Sequence, residues 1–191
     1  MGQKFAAFDE KGTITAFYDS VDSPVPEGQG NVIAITDEQW QSCISGAGFT
    51  VVNGALVAPA PPSAAQLLQA AKDRQTAVLS TSCRDAILSG FQSSALGAPH
   101  TYPSQMTDQQ NLSASVLASL LPGLQAGWTT PFWCADANGN WTYADHTAAQ
   151  IQQVGQDAKN AIISALRKKA QLAAAVGAAK TVAAVQAITW G

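Results

Sequence analysis

The chain has 191 residues, of which 47% are apolar and only 12% charged, with a formal net charge of −3. That length allows one sizeable core, or one domain with a small appendage, and a charged share about half the usual one excludes a solvated, disordered chain. Residues 1–62 carry two lysines against seven acidic groups and residues 63–191 eight basic groups against six acidic, so neither part offers the clustered Lys/Arg surface that nucleic-acid binding requires.

In chain order, residues 1–58 read as a small β-rich domain around one short helix. KFAAFD and TITAFYD are short aromatic-bearing strands separated by the turn-like Glu10-Lys11-Gly12. SPVPEGQGN is a loop by its Pro and Gly content, and NVIAIT a β-branched strand. Thr36, with Gln39 three residues on, forms a capping box that opens the helix DEQWQSCIS. FTVVNGALVAP carries Asn53-Gly54 between two apolar runs, the strongest short hairpin signal. PAPP at 59–62 fits neither a sheet nor a helix interior and reads as a linker.

From Ser63 the period changes. Leu67, Leu68, Ala71, Val78, Leu79, Cys83, Ala86 and Ile87 recur at three- and four-residue steps with no Pro or Gly before Gly90, which predicts one long helix. FQSSALGAPHTYPS (91–104) predicts a hairpin around Gly97. Thr107-Asp108-Gln109-Gln110 reads as a cap for an amphipathic helix NLSASVLASLL that ends near Pro122-Gly123. WTTPFWC and NWTY are aromatic and β-branched strands joined by ADANG. Thr147 opens a second long helix with Ile151, Val154, Ala158, Ile162, Ala165, Leu172 and Val176 on one face, ending near Gly177. A short helix from Thr181 leads to Trp190. The expected class is α+β: a β-rich domain (1–58), a linker (59–62) and a mainly helical domain (63–191) with two long helices and β-hairpins.

The densest chemistry lies in CADANGNWTYADHTAAQ (134–150). Counted from Asp136 as a calcium loop, Asn138 and Asn140 hold ligand positions. Trp141 and Thr147 occupy the places of the required glycine and bidentate carboxylate, so the run reads as a turn. A Cys134–His146 hydrolase dyad needs the two side chains within hydrogen-bond reach. Nothing in the spacing forces them together, and Asp145-His146-Thr147 reads as helix-cap and first-turn groups. His100 reads as a loop residue. No phosphate-binding glycine loop or GxSxG nucleophile elbow occurs, and no catalytic residue, metal ligand or cofactor site is expected.

Cys43, Cys83 and Cys134 form an odd set without a CxxC, which points away from a disulfide framework and toward a reducing compartment. Cys83, on the apolar stripe, reads as a buried thiol. Without a signal-like start or a long apolar run, no membrane insertion is expected. Arg167-Lys168-Lys169 reads as a solvated helix face. The aromatics Trp40, Phe91, Trp128, Trp133, Trp141 and Trp190 are structural or interface candidates. Trp128, Trp133, Trp141 and Trp190 also suit an exposed carbohydrate platform, but packing is the reading preferred: Trp133, Trp141 and Trp190 are expected to be largely buried, with Phe91 closing its hairpin against the helices.

Arg84-Asp85-Ala86-Ile87 with Gly90-Phe91, DQQNL at 108–112, Trp133-Cys134 with Gly139 and Trp141, HTAAQ at 146–150 and the closing A-x-T-V-x-x-V-x-A-I-x-W ending at Trp190 stand in a fixed order. Over about residues 65–190 this pattern resembles the DUF4376 domain of tailed-bacteriophage and prophage proteins, and residues 1–60 are similar to the start of many tail-fibre-associated phage proteins. The resemblance brings no catalytic residues. It implies a non-enzymatic tail-fibre or tail-tip structural protein of the host-attachment apparatus. Its partners would be a fibre or other tail protein and sister subunits, a trimer suiting phage fibres. It would be made in the host cytoplasm and carried in the virion. The alternatives are an assembly chaperone, confined to the cytoplasm, that binds the fibre's C-terminal tip, and the cysteine hydrolase.

Overall fold

The computed structural model describes residues 2–191 and has an α+β fold. Contacts divide the chain into two compact units, with the boundary between Pro62 and Ser63.

The first unit contains β1 (Lys4–Phe8), β2 (Ile14–Asp19), β3 (Val32–Ile35), α1 (Asp37–Ser45), β4 (Thr50–Val52) and β5 (Ala55–Val57). β1 is the middle strand of an antiparallel sheet in the order β2-β1-β3. The cap of α1 is reciprocal: Gln39 N donates to Thr36 Oγ1 at 3.1 Å and Thr36 N donates to Gln39 Oε1 at 2.8 Å. Asn53 and Gly54 both take positive φ, 51° and 76°, the backbone that a two-residue hairpin turn of right-handed twist demands. At the first turn Val51 N donates to Gly12 O at 2.7 Å.

The second unit contains α2 (Ala64–Leu88), β6 (Phe91–Ser93), β7 (His100–Tyr102), α3 (Met106–Ser119), β8 (Thr129–Ala135), β9 (Trp141–Thr147), α4 (Ala148–Ala178) and α5 (Val182–Gln186). The two hairpins are joined by pairing of β7 with β8, with Thr101 opposite Ala135, into one antiparallel sheet in the order β6-β7-β8-β9. Capping boxes at Ser63/Gln66 and Thr147/Gln150 open the two long helices.

Three helix boundaries differ from the sequence reading. α3 begins at Met106 with Gln105 at its cap, not with Thr107: Asp108 accepts from Gln105 N at 2.9 Å, and Gln105 Nε2 donates to Leu88 O at 2.8 Å. It also stops at Ser119, ahead of Pro122-Gly123. α4 runs one residue past Gly177, whose carbonyl accepts from Lys72 Nζ at 2.7 Å and so has a partner without a left-handed cap.

Two apolar clusters hold this unit together. Leu79 of α2, Val176 of α4 and Val185 of α5 form one, with Leu68, Ala71 and Leu172 packed against it. Leu67 and Val78 lie about 100° around α2 from Leu68 and Leu79 and stay half exposed, so the predicted stripe is covered along only one edge. The other cluster joins Phe91, Tyr102, Leu112, Phe132, Cys134, Ile151, Val154 and Ala158, sealing the sheet against the start of α4. Gly155 lets α3 and α4 approach closely, since a Cβ there would lie 2.7 Å from Val116 Cγ2.

Candidate functional site

The β8–β9 hairpin organises the site. Its register sets Thr130 opposite His146, Phe132 opposite Ala144, Trp133 opposite Tyr143 and Ala135 opposite Trp141. Opposed residues share a face and neighbours alternate. Phe132, Cys134 and His146 therefore point into the core, while Trp133, Tyr143 and Trp141 share the other face. The connecting turn is built by Asp136, whose Oδ1 accepts from Asn138 N at 2.8 Å and Asn140 N at 2.9 Å, with Gly139 at φ 81°. These hydrogen bonds hold the carboxyl below its ordinary range, and the turn reading of the stretch holds.

The inward face is a buried polar chain. Tyr102 stacks on Phe91 at 5.5 Å between centroids, and its hydroxyl lies 2.8 Å from His146 Nε2. His146 Nδ1 lies 2.8 Å from Ala144 O. A carbonyl only accepts, so Nδ1 carries the proton and Nε2 accepts the Tyr102 O–H. Burial favours the neutral imidazole and lowers the His146 pKa. Burial also pushes the Tyr102 phenol well above its usual range, with the adjoining Cys134 adding to the effect, and raises the Cys134 thiol. Cys134 and His146 are thus gathered around Tyr102, and each is 0% exposed. The placement of His146 corrects the cap reading: it is a buried strand residue, and of Asp145, His146 and Thr147 only Thr147 caps α4. Tyr102 had no signal of its own in the sequence.

The outward face corrects the expectation that Trp133 and Trp141 are buried. They are 39% and 44% exposed, and Tyr143 is 69% exposed. The two indoles are nearly parallel, at 19° and 6.0 Å, and Tyr143 leans on Trp133 at 4.9 Å. A centroid distance of 6.0 Å means that the indoles are slipped past one another and leave part of each ring face free. Beside them, a groove of about 440 Å³ has Trp133 and Tyr143 on one wall and Asp108, Asn111 and Ser115 of α3 on the other. These three recur at i, i+3 and i+7, one stripe of the helix. The partnership of Tyr143 with the indoles was legible in W-x-Y alternation at 141–143.

A second groove, of about 590 Å³, runs between α3 and α4 and is largely apolar, lined by Leu112, Val116, Leu117, Leu120, Ile162 and Ile163. Leu117 and Leu120 at its rim are 65% and 63% exposed.

The other aromatic candidates, Trp40, Phe91, Trp128 and Trp190, pack within their own units. Phe91 is buried in the sheet core, against which Trp128 packs, half buried. Trp190, half buried and not fully so, packs on the α2–α5 cluster with Lys168 Nζ 5.1 Å from its ring centre. In the first unit Lys4 is held between the Asp19 carboxylate and the Trp40 ring, 4.9 Å away. The Lys4 hydrogen bond, helped by the N–H groups of Val21 and Asp22, lowers the Asp19 pKa to about 2. His100 is not a loop residue as expected: it opens β7 opposite Ser93, and its Nδ1 lies 2.9 Å from Ala98 O. Among the described residues no group of three His, Cys, Asp or Glu is placed to hold a metal ion, the three cysteines are free, and no helix is long and apolar enough to cross a membrane.

Comparison with known families gives a match over residues 70–189 to the model described as "Domain of unknown function (DUF4376)". No curated protein and no solved structure matches the chain.

Proposed function

The chain belongs to the DUF4376 family, and on that premise we propose that it is a non-enzymatic structural protein of a bacteriophage tail fibre or tail tip, working through protein contacts in the host-attachment apparatus. The observation that carries the reading is the apolar groove between α3 and α4, rimmed by the exposed Leu117 and Leu120. Apolar surface of this kind gains about 25 cal/mol for each Å² that a partner covers. A sister subunit, or a fibre or other tail protein, is the partner proposed. The inner face of the β8–β9 hairpin agrees with a role without chemistry. Cys134 and His146 are inaccessible to a substrate, and both ring nitrogens of His146 are already engaged.

Mass spectrometry of purified particles tests the proposal. This protein is expected at a stoichiometry matching the fibre or tail tip. Its absence from intact virions overturns the structural role. If fibres then fail to trimerise without it, the role passes to an assembly chaperone acting on the fibre's C-terminal tip. Light scattering of the purified chain, with Leu117→Arg beside it, reads whether sister subunits occupy the groove.

A further inference from the structure

We propose that the cleft between the outer face of the β8–β9 hairpin and α3 is a binding site for an uncharged saccharide chain. One wall offers aromatic faces, Trp133 and Tyr143, with Trp141 extending the surface beyond the cleft. Aromatic faces carry partial negative charge, and the C–H bonds on the apolar face of a pyranose ring are the complementary partners. The facing wall offers Asp108, Asn111 and Ser115 on one stripe of α3, a carboxylate, an amide and a hydroxyl.

These groups have capacity to spare. Asp108 spends one oxygen on Gln105 N, leaving the other to accept. Asn111 is exposed and supplies both a donor and an acceptor. A sugar ring needs this combination: flat apolar contact on one side and directional hydrogen bonds to its rim of hydroxyls on the other. The cleft volume, about 440 Å³, falls within the range of about 300–1,000 Å³ usual for ligand clefts.

Charge narrows the class further. Neither Lys nor Arg lines the cleft, while Asp108 does. An anionic polymer, whether nucleic acid or an acidic glycan, would meet a carboxylate with no cation to offset it. An apolar peptide or a helix face would leave the three polar groups of α3 desolvated and unpaired. The α3–α4 groove suits such a partner better, so the two sides of α3 present different chemistry.

The site goes beyond protein contact, and its test is independent of whether the chain is found in virions. The full-length chain is applied to an array of lipid-free neutral and acidic oligosaccharides, and a neutral hit is titrated by calorimetry. Binding to neutral chains is expected, weakened about tenfold or more in Trp133→Ala and in Tyr143→Ala. It should also weaken in Asn111→Ala, and recover in part in Trp133→Phe. Thermal melts that match the parent chain separate lost binding from lost fold. An array on which no neutral oligosaccharide binds overturns the proposal, as does binding confined to acidic chains or unmoved by both Trp133→Ala and Asn111→Ala. A protein captured through Trp133 in place of any glycan likewise replaces it with a protein interface.

Discussion

The Tyr102 hydroxyl donates to Nε2 of His146 at 2.8 Å, across the inner face of the four-stranded sheet, with both side chains fully removed from water. The bond links β7 to β9, which are separated in the sheet by β8. It gives the core a fixed polar contact among apolar ones.

Removing the donor alone isolates that contact. Tyr102→Phe keeps the ring and its stacking on Phe91 but leaves Nε2 of His146 without a partner. A buried acceptor so stranded costs about 1–3 kcal/mol. Urea unfolding is expected to show a loss of that size. An unchanged midpoint would mean that Nε2 finds another donor.

The same histidine makes stability depend on pH. Burial depresses its folded pKa below the ordinary 6.5, so the unfolded chain takes up the proton first as pH falls. Its contribution is therefore fully present above pH 6.5 and is lost progressively as pH drops toward the folded value. The melting temperature of the parent chain should fall between about pH 7 and about pH 5, and His146→Gln should flatten that slope. Equal slopes for the two would place the effect elsewhere.

Aromatic truncation should divide by face. Phe91→Ala, inside the sheet core, is expected to cost about 3–5 kcal/mol. Trp133→Ala and Trp141→Ala, on the outer face where each ring is partly exposed and stacked on its neighbour, should each cost less, about 1–2 kcal/mol. Comparable losses at all three positions would show that the outer face is covered in solution.

Gly90 tests the backbone. It joins α2 to β6 at φ 103°, and a Cβ there would stand 2.5 Å from Tyr102 O. Gly90→Ala therefore combines a strained conformation with a clash against backbone, a loss of at least about 1–3 kcal/mol. Denaturant midpoints measure it directly, and a neutral substitution would rule out both terms.

Local chemistry made much of this protein legible from its sequence. Thr36/Gln39 announces a helix start because cap and partner lie three residues apart, and the same spacing recurs at Ser63/Gln66 and Thr147/Gln150, whereas Thr107 and Gln110 share it inside α3 without capping it. Asn53-Gly54 and the Asp136 turn announce hairpins because few residues tolerate positive φ. Membership of the family was legible as well, in motifs spread over the second unit. What the sequence did not carry was which face of each strand meets the core. Alternation places Trp133 with Tyr143 on one side and Cys134 with His146 on the other, but it does not say which side the start of α4 covers. Tertiary packing decided that. α4 and the β6–β7 hairpin close over Phe132, Cys134 and His146, so the two indoles are left in water and the histidine is sealed from it. Burial is a property of neighbours distant in the chain, and no local pattern encodes it.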